Sequence, residues 1–150
     1  MRNVRRALAV AALAAAIALS ACAHARVTYV DSDASYTAQQ LRSLLDRTDL
    51  GSVANERVSK ATELRHEALV ELRSQGSAQS AAADVVTETF PAATESVPVY
   101  VERATFDSSE SLILIEAWVD SRNRLSSRRL WVIDAKSGQV YYSASAGSRR

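Results

Sequence analysis

The groups able to do chemistry in this chain are few. Among 150 residues there is one cysteine, Cys22, and two histidines, His24 and His66. A single thiol forms no intramolecular disulfide, and no cysteine–histidine set has the spacing of a zinc site. His66 falls between Arg65 and Glu67, off the apolar stripe of a helical pattern. No serine has the Gly-x-Ser-x-Gly setting of a nucleophile elbow. The four glycines are scattered and make no phosphate-binding loop. Glycoside hydrolysis needs paired carboxylates, and Glu102, Glu116 and Asp134 on strand-like segments are the available ones. Glu116 interrupts an apolar run, so burial there requires a cationic partner such as Arg129 or Arg103. Arg122, Arg124, Arg128 and Arg129 cluster about one polar loop, with Trp118 and Trp131 on the strands flanking it. Trp118, Trp131, Arg122 and Arg124 form the candidate ligand or partner surface. The plainer description of the same residues is cross-strand core aromatics and a solvated turn. No catalytic residue, metal ligand or cofactor is implied.

Cys22 closes an N-terminal segment with its own logic. Arg2, Arg5 and Arg6 precede an uncharged run over residues 7–19, mostly Ala and Leu. A run of about 13 residues is too short to span a bilayer, which needs roughly 20. The layout is that of a removable export signal, with Arg5-Arg6 as its charged start rather than a twin-arginine motif. It ends in Leu19-Ser20-Ala21-Cys22. That sequence resembles the lipobox of bacterial lipoproteins: an aliphatic residue, two small residues, then cysteine. The resemblance implies that residues 1–21 are removed as a signal peptide and that Cys22 is acylated, with palmitate or a similar chain. It further implies a protein exported and held on the outer face of the cell membrane, or on the periplasmic side where there are two membranes. An acylated Cys22 is no nucleophile. At about 0.8 kcal/mol per buried methylene, two or three chains anchor stably. Ala21-Cys22-Ala23 and Ala23-His24-Ala25 also fit small-x-small cleavage, so an ordinary secretory signal is the alternative.

The chain carries 18 basic and 17 acidic residues; three of the basic ones and none of the acidic ones lie in the leader, leaving 15 against 17, or −2. A nucleic-acid binder needs a basic footprint, and this balance supplies none. It also gives no reason for adhesion to an acidic membrane surface. What remains is one ordinary domain, held by core packing.

Residues 22–36 are short of large apolar side chains and read as the lipidated cysteine with a flexible tether, reaching at most about 40 Å. Val27, Tyr29 and Val30 interrupt it and allow a small edge strand. Helical spacing then predicts helices over 37–47, 55–75 and 77–89. Thr37 and Gln40 form a capping box at the first, Gly76 breaks the second, and Ser77 suits the N-cap of the third. Phe90-Pro91 closes the third helix. Beyond it the period changes to that of strands: Val97, Val99 and Val101 alternate with Pro98, an edge signal. The run from Leu112 to Val119 is apolar on both faces, as in a central strand. Two further strands follow around residues 129–134 and 139–143, joined by a turn in which Gly138 is available for positive φ. Residues 145–150 read as a disordered tail. The fold class is α+β: about three N-terminal helices packed on one face of a C-terminal antiparallel meander of about four strands, a single domain over residues 37–144.

The closing segment, Trp131-Val132-Ile133-Asp134-Ala135-Lys136-Ser137-Gly138-Gln139-Val140, resembles the final hairpin of PepSY-type domains, which implies protein binding or restraint of a peptidase. Helices before a sheet also resemble the cystatin-like cone, in which a curved sheet wraps a helix and can hold a pocket. Three functions follow in order. The first is non-catalytic binding of an envelope protein or polymer by a membrane-anchored lipoprotein. The second is a small-ligand carrier with a pocket between sheet and helices. The last is a minor hydrolase using Glu116 or Asp134.

Overall fold

The computed structural model describes residues 24–147; the leader and Cys22 lie outside them. The elements are β1 (Thr28–Tyr36), α1 (Ala38–Arg47), two short 3-10 turns (Gly51–Val53 and Val58–Lys60), α2 (Ala61–Ser74), α3 (Ser77–Thr89), β2 (Ser96–Phe106), β3 (Ser109–Val119), β4 (Leu125–Asp134) and β5 (Val140–Ala146). The class is α+β. One sheet holds the strands in the order β1-β2-β3-β4-β5. β1 runs parallel to β2, and the other neighbours are antiparallel. The sheet is therefore mixed and five-stranded, where an antiparallel meander of about four was expected.

The extra strand is an edge strand in the stretch expected to be a tether, beginning where Val27, Tyr29 and Val30 allow one and running on to Tyr36. Ala25 and Val27 are buried at 1% and 4% exposure, and the residues after them pair with β2. Local composition hides this because the partners of the polar side chains are distant: Ser32 bonds Glu102, 70 residues away, and Asp31 pairs with Arg103. The domain also extends past 144, since Ala146 pairs with Arg128.

The capping box at Thr37 is present, with Gln40 N–H donating to Thr37 Oγ1 and Thr37 N–H donating to Gln40 Oε1. α1 buries Leu41, Leu44 and Leu45. α2 starts at Ala61 rather than 55. Asn55 takes a positive φ and its N–H donates to the Leu125 carbonyl, while Val58 N–H donates to Asn123. The segment is thus tied to the β3–β4 loop before it can coil. α3 spans the expected 77–89, but its N-cap is Gly76, with no side-chain bond. Pro98 lies inside the sheet, yet β1 pairs with β2 only from Tyr100 onward, so β2 is locally an edge where its N–H is missing.

The helices do not share one face. Successive strand residues point to opposite sides. Arg128 donates from Nε to the Thr48 carbonyl at the end of α1. Its neighbour Arg129 stands opposite Glu116, which takes a bond from Arg65 of α2. α1 therefore covers one face, and α2 with α3 the other. This corrects the single-face arrangement, and its cause is β3: Leu112, Ile113, Leu114 and Ile115 are all buried, so both faces of the strand need a covering layer.

Candidate functional site

The face under α2 and α3 carries a block of four side chains from two adjacent strands. β3 contributes Glu116 and Trp118, and β4 contributes Arg129 and Trp131. Each pair is two residues apart, so all four project to the same side, with Glu116 directly across from Arg129. The connection from α3 to β2 runs past them. Phe90, Pro91, Ala92, Ala93, Thr94 and Glu95 form the opposing wall, enclosing an open cleft of about 420 Å³.

Its floor is built around a carboxylate. Glu116 is 2% exposed. Its Oε1 accepts from Arg65 Nη1 at 2.6 Å, and its Oε2 accepts from the indole Nε1–H of Trp131 at 3.0 Å. Arg65 also donates to Ser96 Oγ, and its buried Nη2 has no hydrogen-bond partner among the described residues. A buried carboxylate held by a cation and an indole donor satisfies its charge and fixes the Trp131 ring at the same time. Phe90 packs on that ring with centroids 4.9 Å apart, within the range of favourable aromatic pairs.

Arg129 behaves differently from the partner expected for Glu116. Its guanidinium lies 3.2 Å from the centroid of Trp118 and 5.3 Å from that of Trp131, a cation–π arrangement with both rings. Burial holds the Arg129 pKa below its ordinary value, and the charges of Glu116 and Glu95 act in the opposite direction. A guanidinium carries five N–H donors, and no side-chain acceptor among the described residues takes one from Arg129 within an ion pair. The site therefore combines aromatic side chains with a half-buried cation close to both indole rings, a combination suited to an anionic group attached to hydrocarbon or a ring.

The remaining arginines do not join this cleft. Arg124 donates from Nη1 to the Asn55 carbonyl, Arg128 is held by Thr48, and Arg122 is exposed in the turn. Asp120 organises that turn by accepting from the backbone N–H groups of Arg122 and Arg124 and from Ser126, which keeps its carboxyl below the usual range. Asp134 does the same in the β4–β5 turn: it accepts from the N–H groups of Lys136 and Ser137 and from the Tyr141 hydroxyl, so its pKa is strongly lowered. Gly138 closes this turn at φ 71, as its position suggests. His66 is exposed on α2. Cys22 lies outside the described residues.

Two contributors escaped the sequence reading. Arg65 is charged, yet it stands four positions after Ala61 and three before Ala68, both fully buried, and that spacing is the available signal. Phe90 was read only as a helix stop. Among the described residues no helix is long and apolar enough to cross a membrane. No family model, curated protein or solved structure matches this chain.

Proposed function

We propose that this protein is a lipid-anchored extracytoplasmic binding protein that recognises another component of the cell envelope and catalyses nothing. The charged start, the short apolar run and Leu19-Ser20-Ala21-Cys22 support export, cleavage before Cys22 and acylation of that thiol on the outer face of a membrane. The observation that carries the binding role is the closeness of Arg129 to Trp118 beside Trp131, in a cleft whose other wall is Phe90, Pro91, Ala92 and Ala93 with Thr94 and Glu95 at its end. A carboxylate or phosphate of an envelope protein or polymer can accept from the guanidinium while Trp131, Phe90 and Pro91 take the attached apolar part.

A hydrolytic role has little to work with. Both oxygens of Glu116 are engaged, one by a cation, and Asp134 is committed to its own turn. The small-ligand carrier stays a second reading because the cleft, at about 420 Å³, exceeds the roughly 300 Å³ at which small-molecule sites begin.

A photo-crosslinking residue at Thr94, on the cleft rim, tests the proposal in intact cells against the same residue at Lys136, on the far turn. A discrete adduct at Thr94, absent at Lys136 and lost with Arg129→Ala, is expected. Equal adducts at both positions, or none at Thr94, contradict it.

A further inference from the structure

The chain leaves almost no leash between the proposed anchor and the folded domain. Ala25 is 1% exposed and Val27 4%. The backbone around Val27 is held from both sides: its N–H donates to Glu71, and its carbonyl accepts from Gln75 Nε2. Three residues earlier, the His24 carbonyl accepts from Ser52 Oγ. His24, Arg26, Leu50, Gly51 and Ser52 line one hollow together with Val99, so the first described residues are an integral part of the fold. Cys22 precedes Ala25 by three residues, which span at most about 10 Å of extended chain.

That attachment point lies at one end of the sheet. The loop that holds His24 continues to Asn55, whose N–H bonds the carbonyl of Leu125, the first residue of β4. Arg124, in the turn just before β4, donates to the Asn55 carbonyl. The turn after β4, with Lys136, lies at the other end of the same strand, and the ten residues of β4 at roughly 3.3 Å each separate the two ends by about 30 Å. Trp118, which lines the cleft, pairs with Ser96 at the attached end.

We propose that the domain is docked end-on against the phospholipid headgroups of the membrane that holds its anchor. The His24–Ser52 hollow and the 51–55 loop face the bilayer, the cleft mouth sits at headgroup level, and the Lys136 turn points away. This rests on the acylation of Cys22 set out above. It replaces a freely swinging domain with an oriented one, and it makes the membrane surface the side from which the cleft is approached. Covalent reach produces the docking, so a net charge near zero is no obstacle to it.

The acylated full chain, reconstituted in phosphatidylethanolamine/phosphatidylglycerol vesicles that carry a spin label on a fraction of the headgroups, gives the test. A fluorophore is placed on Ala54→Cys or on Lys136→Cys, both exposed positions, and Cys22 is blocked by its own acylation. Quenching several-fold stronger at 54 than at 136 is the expected result. Inserting a ten-residue Gly-Ser linker between Ala23 and His24 should bring the two positions close to parity without altering the fold. Equal quenching at the two sites in the original chain, with the acyl mass present on the N-terminal peptide, overturns the docked orientation alone. Absence of the acyl mass overturns the anchor reading and the orientation with it.

Discussion

Glu116 and Glu102 lie on adjacent strands of one sheet, each 2% exposed, and they are stabilised in opposite ways. Glu102 pairs across the sheet with Ile113, three residues from Glu116, so the two carboxylates point to opposite faces. Glu116 is met by a cation, Arg65, with an indole donor. Among the described residues, the hydrogen bonds to Glu102 come from hydroxyls: Ser32 and Tyr36 from β1, and Tyr100 from its own strand. Burying a carboxylate costs several kcal/mol, and the two solutions serve different ends. The ion pair ties α2 to the sheet and sets the Trp131 wall of the cleft. The hydroxyl cluster clamps the anchor-proximal strand β1 onto β2. One carboxylate thus shapes the proposed binding face, and the other holds the edge strand next to the proposed anchor.

The comparison fails most visibly if the ion pair is not the costlier one to break. Glu116→Gln leaves the Arg65 charge buried without a counter-charge and should lower stability by about 3–5 kcal/mol, read by urea unfolding. Replacing Arg65 and Glu116 together with Met and Leu should recover most of that loss. Glu102→Gln keeps an acceptor for the hydroxyls but removes its charge, so a smaller loss of about 1.5–3 kcal/mol is expected. Its amide exchange should quicken in Thr28–Tyr36 before the rest of the sheet. Equal losses from the two variants would erase the distinction.

An alkaline titration sharpens the hydroxyl side. Burial first, then the bond to Glu102 and its charge, raises the Tyr100 pKa well above its ordinary 10.0. Burial first also raises Tyr36, with the charge of Glu102 and its hydrogen bond adding to the shift. A raised folded-state pKa gives stability that is complete below the unfolded value and declines as pH climbs above it. Stability should therefore fall from about pH 10 upward, and Tyr100→Phe should flatten that slope even though it lowers stability at neutral pH. A slope unchanged in Tyr100→Phe would remove this hydroxyl from the clamp. The smallest effect on the fold is expected at the cleft. Arg129→Ala should cost about 1 kcal/mol or less while shifting the Trp118 emission and abolishing the Thr94 crosslink.

Local order was open to the sequence. The Thr37 capping box, the 77–89 helix, the two-faced β3 and the Gly138 turn are all decided by neighbours within a few residues. What stayed hidden depended on distant partners. Val27, Tyr29 and Val30 hint at an edge strand, but the length of β1 depends on polar side chains whose partners lie 66 to 72 positions further on. Helices on both faces follow from the path of the whole chain: α1 meets β4 on one side through Thr48 and Arg128, while Arg65 of α2 meets Glu116 on the other. Trp118 and Trp131 were chosen for their type. Their joint placement on one face depends on the β3–β4 register, which passes an irregularity at Val119. Arg65 was hidden by its charge, since a buried arginine is recognisable only with its partner in view.

The sharpest measurement concerns Cys22. The wild-type chain and Cys22→Ser are expressed at equal levels, and the cells are separated into membrane and soluble fractions. Membrane retention by the wild type, with release of Cys22→Ser into the soluble extracytoplasmic fraction or its accumulation as uncleaved precursor, is the expected result. Mature Cys22→Ser that stays with the membranes just as the wild type does would contradict the lipid anchor, and the membrane-facing orientation built on it.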